Sequence, residues 1–226
     1  MSLPRPLAGV VLLLALSSRA ALAQGPLYGG VDVGVIIPQD MSAHLSGAIA
    51  GSGHLSLNAA GAVAGVVGYD LGDRLSAEGA LGWSLYDPSK LSGSLTGGGA
   101  ALPDLALNGD FNTVLALADA LYRPCGRLGR FAPYLGGGIG FAYRDWSITT
   151  QPGAAAALSL KGNALDFAAD AVLGLDYAVT DRFSLGGRYR FLWIDSDGDR
   201  LGGGGVTLTH GNVYAHLLTA TLTYRF

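Results

Sequence analysis

The last fourteen residues, 213–226, constrain the fold of this chain more than any other stretch. Apolar side chains occupy every second position there: Leu218, Ala220, Leu222, Tyr224 and Phe226. Polar side chains fill the alternate positions: Thr219, Thr221, Thr223 and Arg225. Because side chains alternate between the two faces of a strand, this pattern predicts a β-strand with one apolar face and one polar face.

The first 23 residues have the layout of a secretory signal peptide. Arg5 stands near the start, an apolar run extends from residue 7 to residue 16, and Ala21-Leu22-Ala23 forms a small-residue cleavage site. The apolar run, at about ten residues, is too short to cross a bilayer as a helix. The alternative is a buried N-terminal helix. We expect residues 1–23 to be removed and residues 24–226 to form one exported domain.

Composition favours a membrane protein built from strands. The chain is 50% hydrophobic and 14% charged, with 36 glycines, whereas a soluble domain usually carries about 25% charged residues. After the signal, no stretch reaches the roughly 18 apolar residues that a membrane helix needs. A closed barrel is the other structure that satisfies every backbone group in lipid. The sequence therefore predicts an all-β, antiparallel, up-and-down transmembrane barrel.

Charge and cysteine content limit the classes of partner. The predicted mature chain has 12 basic and 17 acidic residues, a net charge of -5. Nucleic-acid binding favours basic patches, so no nucleic-acid partner is expected. The single cysteine, Cys125, lies in a predicted turn and has no internal partner, so we interpret it as a free thiol.

Eight segments alternate as strands do. They are 27–37, 62–71, 75–86, 110–122, 133–143, 164–177, 183–193 and 213–226. The segment 164–177 is the most regular, because its odd-numbered residues are apolar and its even-numbered residues include three aspartates. In 110–122, Asp119 shares a face with three leucines. Either a bulge resets the register there or Asp119 faces the interior beside the leucines.

The connections between these segments alternate in length. Residues 72–74, 123–131 and 179–182 are short or medium turns, whereas 38–61, 87–109, 146–163 and 194–211 are long and rich in Gly, Ser and Asp. Short periplasmic turns with longer external loops are typical of outer-membrane barrels. We expect the four long segments to be mobile.

Aromatic residues cluster near the strand ends, as interface girdles do. The predicted periplasmic girdle is Tyr28, Tyr69, Tyr122, Tyr177, Phe183, Tyr224 and Phe226. The predicted outer girdle is Trp83, Tyr86, Tyr143, Trp146, Trp193 and Tyr214.

Four segments carry a resemblance to a known family. Pro133–Tyr143, Leu173–Arg182, Gly187–Phe191 and Leu222–Phe226 resemble small outer-membrane barrels of the opacity-protein and OmpA-transmembrane-domain superfamily. The resemblance spans essentially residues 24–226 and implies an eight-stranded barrel with surface-exposed loops. Members include surface antigens, adhesins, serum-resistance factors, haem binders and narrow pores. The resemblance also implies that Leu222, Tyr224 and Phe226 form the signal read by the outer-membrane insertion machinery.

The inward positions of such a barrel hold a predicted lumen charge network. Its members are Asp32, Glu78, Asp166, Asp170, Asp176, Arg188, Arg190 and Arg225. Charges in a narrow lumen must be paired or hydrated. A hairpin that pairs Ala178 with Arg182 places Asp170 opposite Arg190 and near Arg188. We expect these charges to plug the lumen; the alternative is a gate that admits small solutes.

Other candidate chemistry is sparse. Asp195–Asp199 resembles a calcium loop, but Arg200 and Val206 stand where the turn glycine and the bidentate glutamate belong, so we expect a solvated acidic loop and no metal. His44, His54 and His210 are predicted to be exposed in loops, where haem or metal binding is the alternative.

His216 shares the lipid-facing row near the outer edge of the apolar band. Some small barrels are lipid-modifying enzymes with a Ser and a His near the outer leaflet, and a nucleophile needs a base within hydrogen-bond reach. Tyr214 and Leu218 flank His216 on its own face, so no catalytic residue is assigned, although a partner from another strand or a loop stays open.

The sequence favours a monomeric, eight-stranded barrel of the bacterial outer membrane. Its expected role is structural or surface interaction, adhesin-like or antigen-like, through four extracellular loops. The alternatives are a narrow porin-like channel for small solutes and an outer-leaflet lipid-modifying enzyme; a soluble lipocalin-like barrel would reverse the polarity of its walls. Expected partners are outer-membrane lipid and lipopolysaccharide, the barrel-assembly machinery, periplasmic chaperones and a host or surface ligand. No cofactor is expected.

Overall fold

A computed structural model describes residues 27–151, 156–196, 199–203 and 205–226. The predicted signal peptide lies outside these residues, and the predicted calcium-like loop lies partly outside them. The described residues contain no helix with the length and apolar character needed to span a membrane. Their regular structure consists of strands in one antiparallel sheet, which confirms the all-β, antiparallel prediction.

The described residues form fourteen strands rather than eight. They are β1 (Leu27–Pro38), β2 (Met41–Gly47), β3 (Ile49–Leu57), β4 (Ala60–Asp70), β5 (Leu75–Tyr86), β6 (Pro88–Gly97), β7 (Ala100–Leu102), β8 (Leu105–Tyr122), β9 (Phe131–Thr150), β10 (Ser159–Ala178), β11 (Phe183–Ile194), β12 (Asp199–Gly203), β13 (Val206–His210) and β14 (Val213–Arg225).

Eight of these strands pair in a closed cycle, here called the main ring. Its order is β1, β4, β5, β8, β9, β10, β11 and β14, and β14 returns to pair with β1. These strands correspond to the eight predicted segments. β8, β9 and β10 extend several residues beyond the predicted bounds, at the end of the ring where the long connections lie.

The long connections form a second ring on top of the first. β12, β13, β2, β3 and β6 pair in that order, and the outer ends of β10, β9 and β8 complete the cycle. β7 is paired with β6. The four long connections, which the sequence predicts to be mobile loops, therefore contain paired strands over the described residues. Their low average hydrophobicity concealed a period of two, as in Leu55-Ser-Leu57 and Leu105-Ala-Leu107.

The walls of the main ring are apolar outside and polar inside. Val33, Ile139 and Leu165 are 57%, 60% and 69% exposed on the exterior. Asp32, Glu78 and other charged side chains are buried in the interior, here called the lumen. This polarity is the reverse of that in a soluble barrel, and it matches a ring that stands in an apolar medium.

The second ring has the opposite polarity. Its interior is a contiguous apolar cluster that includes Met41, Leu45, Leu55, Leu91, Leu95, Leu105, Leu107, Ile148, Leu160, Leu201 and Leu208. Its exterior exposes small polar residues and histidines, among them His44, Ser46, Ser52, His54, Ser94 and Thr96. Such an inversion is expected where a structure passes from an apolar medium into water.

Asp119 faces the lumen beside Leu117 and Leu121, so the second of the two predicted alternatives is correct. The register of β8 with both neighbours runs without a shift, which excludes a bulge along these pairings. Gly138 lies directly opposite Asp119 on β9. A Cβ atom at Gly138 would collide with the Asp119 carboxylate and would lie 2.5 Å from the Ala118 carbonyl oxygen. The glycine therefore leaves the space in which this carboxylate sits.

Three predicted girdle residues are in the interior, so their assignment to a girdle is wrong. Tyr28, Tyr86 and Trp146 are at most 5% exposed. Tyr28 pairs directly with Gly68, and its ring fills the space that a side chain at Gly68 would need. A tyrosine opposite an inward glycine can therefore turn into the lumen instead of towards a membrane interface.

Candidate functional site

The lumen opens at the short-turn end of the main ring, where one carboxylate holds two arginines. Arg123 Nη1 lies 3.3 Å from Asp70 Oδ1 and donates to Ser76 Oγ at 2.6 Å. Arg225 Nη2 lies 3.1 Å from Asp70 Oδ2. The Arg225 side chain is 31% exposed, so water screens this second pair. Asp176 lines the same mouth.

Deeper in the lumen, Arg188 binds two carboxylates. Its Nη1 lies 2.5 Å from Glu78 Oε1 and 3.1 Å from Asp32 Oδ2, and its Nη2 donates to Glu78 Oε2 at 3.1 Å. Arg188 Nε donates to Tyr134 Oη at 3.0 Å, and Tyr28 Oη donates to Glu78 Oε2 at 3.2 Å. The three charged side chains are at most 6% exposed. This cluster links β1, β5, β9 and β11 across the lumen.

Arg190 forms a second cluster, which lies farther from the short-turn end of the main ring than the Arg188 cluster. Its Nη2 lies 2.8 Å from Asp119 Oδ2, and its Nη1 contacts Asp170 Oδ2. The structure thus brings Asp170 and Arg190 together, but not through the predicted register. Ala178 pairs with Ser184 rather than with Arg182, so the hairpin is shifted by two residues. A shift of two keeps every side chain on its face, and for this reason the contact is still made on a diagonal.

Arg144 and Asp166 form a further ion pair, at the end of the lumen that adjoins the second ring. Arg144 Nε donates to Asp166 Oδ2 at 2.8 Å, and the guanidinium carbon lies 4.4 Å from the centre of the Trp146 ring. Trp146 stacks in turn on Phe111, with ring centres 5.3 Å apart. Both aromatic residues belong to the apolar cluster of the second ring. The charged lumen therefore meets the apolar cluster of the second ring directly at Arg144.

Sequence reasoning missed Asp70, Asp119, Arg123 and Arg144 as members of the network. Each has the parity of an inward row: Arg144 shares it with the predicted inward glycines of β9, and Asp70 lies opposite the apolar face of β4. Asp70 and Asp119 lie within the predicted segments, and continuing the alternation by one residue past two other bounds reaches Arg123 and Arg144. For Asp119, an inward position is one of the two alternatives that the sequence leaves open.

The predicted insertion-signal residues lie on the outer surface near the end of β14. Leu222 and Phe226 are 49% and 38% exposed, and the Tyr224 ring packs 5.0 Å from Phe183 and 5.2 Å from Phe226, measured between ring centres.

His216 lies on the exterior of the main ring, in contact with two neighbouring segments. Its Nδ1 is 2.8 Å from Tyr189 Oη, and its Nε2 is 2.9 Å from Gln39 Nε2. Neither neighbour is a nucleophilic serine or a carboxylate.

The other histidines divide into two classes. His44 and His54 are exposed on the second ring, as predicted. The prediction for His210 is wrong, because it is 2% exposed and its ring centre lies 4.4 Å from that of Trp146. In the described part of the chain, no three His, Cys, Asp or Glu side chains are grouped as metal ligands would be.

Comparison with known proteins assigns the chain to a protein family. A sequence-family profile described as "Outer membrane protein beta-barrel domain" matches residues 7–226. None of the curated proteins compared with the chain matches it.

Several solved structures share the fold. The outer membrane protein OprG from Pseudomonas aeruginosa superposes with a TM-score of 0.53 at 13% identity, covering 90% of this chain and 99% of that one. The outer membrane protease OmpT from Escherichia coli gives 0.53 at 8% identity, covering 91% and 99%. A major outer membrane protein from Thermus thermophilus gives 0.51 at 14% identity, covering 88% and 99%. At these identities the likeness concerns the fold alone.

Proposed function

Because the chain belongs to the family of outer-membrane protein β-barrel domains and lies in the bacterial outer membrane, we propose that its main ring is an eight-stranded transmembrane barrel. In this proposal the barrel does not conduct solutes. It anchors the second ring outside the cell as a rigid surface for interaction. The short turns then face the periplasm, and the join of the two rings lies at the outer membrane surface.

One observation carries the proposal: the contiguous apolar cluster inside the second ring. Leu55, Leu91 and Leu208 are fully buried there. A tightly packed apolar core excludes water and ions, because ions lose their hydration in it. Below it, the clusters of Arg188 and Arg190 cross the lumen. These two layers in series support a sealed barrel over a narrow porin-like channel.

The conductance of purified protein in planar bilayers tests this proposal. We expect no steady open levels from the wild-type protein at moderate voltage, and none from Asp170→Asn. The substitution removes the negative charge that Arg190 Nη1 contacts, but it leaves the apolar cluster intact. Steady open levels whose size or ion selectivity changes in Asp170→Asn would instead establish the channel and defeat the proposal.

The second ring supports a surface-interaction role of the adhesin or antigen kind. Its exposed Ser, Thr and His side chains lie on paired strands. A partner that binds such a face does not have to order a flexible loop, so less conformational entropy is lost on binding. We assign to the protein outer-membrane lipid and lipopolysaccharide as its surroundings, the assembly machinery and periplasmic chaperones during biogenesis, a surface ligand, and a monomeric state.

The contacts of His216 support a role without catalysis. Activation of a serine nucleophile requires a base at hydrogen-bond distance. Here the two polar neighbours of His216 are a tyrosine and a glutamine. Incubation with purified lipopolysaccharide followed by mass spectrometry of lipid A is expected to leave the lipid unchanged.

The proposal extends to the terminal aromatic residue as an assembly signal. We expect Phe226→Ser to lower the amount of assembled protein in the outer membrane several-fold. Leu218→Ser is the matched control, because it also removes an apolar side chain from the exterior of β14 but farther from the end. The measurement is the share of heat-modifiable protein in outer-membrane fractions. Equal losses in the two variants would contradict a terminal signal.

A further inference from the structure

The middle of the lumen contains more negative than positive charge. The clusters of Arg188 and Arg190 hold two guanidinium groups but four carboxylates, on Asp32, Glu78, Asp119 and Asp170. Every one of these six side chains is at most 6% exposed. An uncompensated charge that is shielded from water is costly. An additional positive charge held in this region would offset part of that cost.

Two buried oxygen atoms mark where such a charge would bind. Asp32 Oδ2 contacts Arg188, but Asp32 Oδ1 has no hydrogen-bond partner among the described residues. Thr221 lies directly opposite Asp32 across the pairing of β1 with β14, and its Oγ1 likewise has no partner there. Asp32 is 4% exposed and Thr221 is 2% exposed. Directly opposed residues have Cβ atoms about 5 Å apart, so both oxygens can contact one small ligand.

The space beside Asp32 limits the size of that ligand. An interior cavity is lined by Asp32, Ser84, Thr219, Arg190 and apolar side chains that include Leu115. It has room for about two water molecules. Arg190 is already paired with Asp119 and Asp170. The cavity can therefore supply water to an ion held at Asp32, but it cannot hold a sugar or an acyl chain.

The chemistry of the two oxygens selects the kind of ion. A carboxylate and a hydroxyl are hard oxygen donors, which suit hard cations rather than thiophilic or imidazole-binding metals. A divalent cation usually takes several carboxylates, whereas Asp32 Oδ1 is the one carboxylate oxygen at this site. We propose that the lumen binds a monovalent cation of the size of sodium between Asp32 Oδ1 and Thr221 Oγ1, with water from the cavity as its remaining ligands.

Unfolding of the full-length mature protein in different salts tests this assignment. Urea unfolding in detergent micelles is compared in sodium chloride, potassium chloride and N-methylglucamine chloride at equal ionic strength, so that screening is the same. At sodium ten times above its dissociation constant, the folding equilibrium constant is expected to rise about elevenfold over that in N-methylglucamine. This increase in the folding equilibrium constant is expected to level off at high sodium concentration, as the single site becomes occupied.

Two variants locate the site. Thr221→Val removes one oxygen donor and leaves every ion pair in place, and Asp32→Asn removes the charge. In both variants, the folding equilibrium constant is expected to be the same in sodium chloride as in N-methylglucamine chloride. Thr223→Val is the matched control, because Thr223 lies on the same face of the same strand and lines the periplasmic mouth; it should retain the gain.

Two results would overturn the assignment. Identical unfolding midpoints of the wild-type protein in the three salts would mean that water alone occupies the site. A sodium-specific gain that persists in Thr221→Val would place the ion elsewhere, and this variant decides the question even if Asp32→Asn does not fold. Neither result bears on whether the barrel conducts, so the proposed function stands or falls separately.

Discussion

Replacing Arg188 by methionine is expected to lower the free energy of unfolding by about 3–5 kcal/mol. Arg188 is 4% exposed in its side chain and compensates two carboxylates, on Glu78 and Asp32, that are 1% and 6% exposed. Removal of the guanidinium leaves both carboxylates without their cation in a place that water does not reach freely. The loss therefore reflects the desolvated carboxylates more than the loss of attraction itself. Equilibrium urea unfolding in lipid vesicles measures it.

Two comparison variants separate this explanation from a general effect of removing arginine. Arg225→Met breaks an ion pair at the periplasmic mouth, where the arginine side chain is 31% exposed, so a loss of about 1 kcal/mol or less is expected. The triple variant Arg188→Met, Glu78→Gln and Asp32→Asn removes all three charges and should regain much of the stability. If Arg188→Met and Arg225→Met lose the same amount, the Arg188 cluster does not stabilise the barrel as a buried network.

The eight strands of the main ring and the side of the wall on which each residue lies could be predicted from the alternation alone. The period of two gives the face directly, and Asp166, Asp170, Arg188 and Arg190 lie on the rows that it indicates as inward. What alternation cannot give is the partner of each charge. Glu78 on β5 meets Arg188 on β11 across the lumen, at a sequence separation of 110 residues. Strand register and the width of the lumen decide that contact, and neither can be predicted from the sequence of a single strand.

The second ring was missed for a different physical reason. Its strands are short, and glycine, serine and alanine fill the positions between the leucines. Average hydrophobicity therefore resembles that of a loop. Each of these strands buries too little surface to be stable alone, so the pairing with β8 and β10 and the shared apolar core determine its structure. The girdle errors at Tyr28 and Tyr86 arose because position along a strand was considered without its face.

Introducing a charge into the apolar cluster is expected to unfold the second ring while the main ring stays folded. In Leu91→Asp a carboxylate replaces a fully buried side chain in β6. Burial of this carboxylate without a partner would cost about 4 kcal/mol or more. That cost exceeds the stability expected of a small ring of short strands. The main ring keeps its own hydrogen bonds and its lumen clusters, so the protein should still show heat-modifiable migration on gels.

Limited proteolysis of cells that carry the variant reads out this local unfolding. In Leu91→Asp, new cleavage sites are expected within residues 41–57 and 88–97, whereas the wild-type strands resist because backbone paired in a sheet does not fit a protease active site. Ser94→Asp is the matched control, since Ser94 lies on the exposed face of the same strand. Its carboxylate stays in water, and no new cleavage is expected. Equal resistance of Leu91→Asp and Ser94→Asp would contradict a packed apolar cluster in the second ring, and with it the outer of the two layers that seal the barrel in the proposed function.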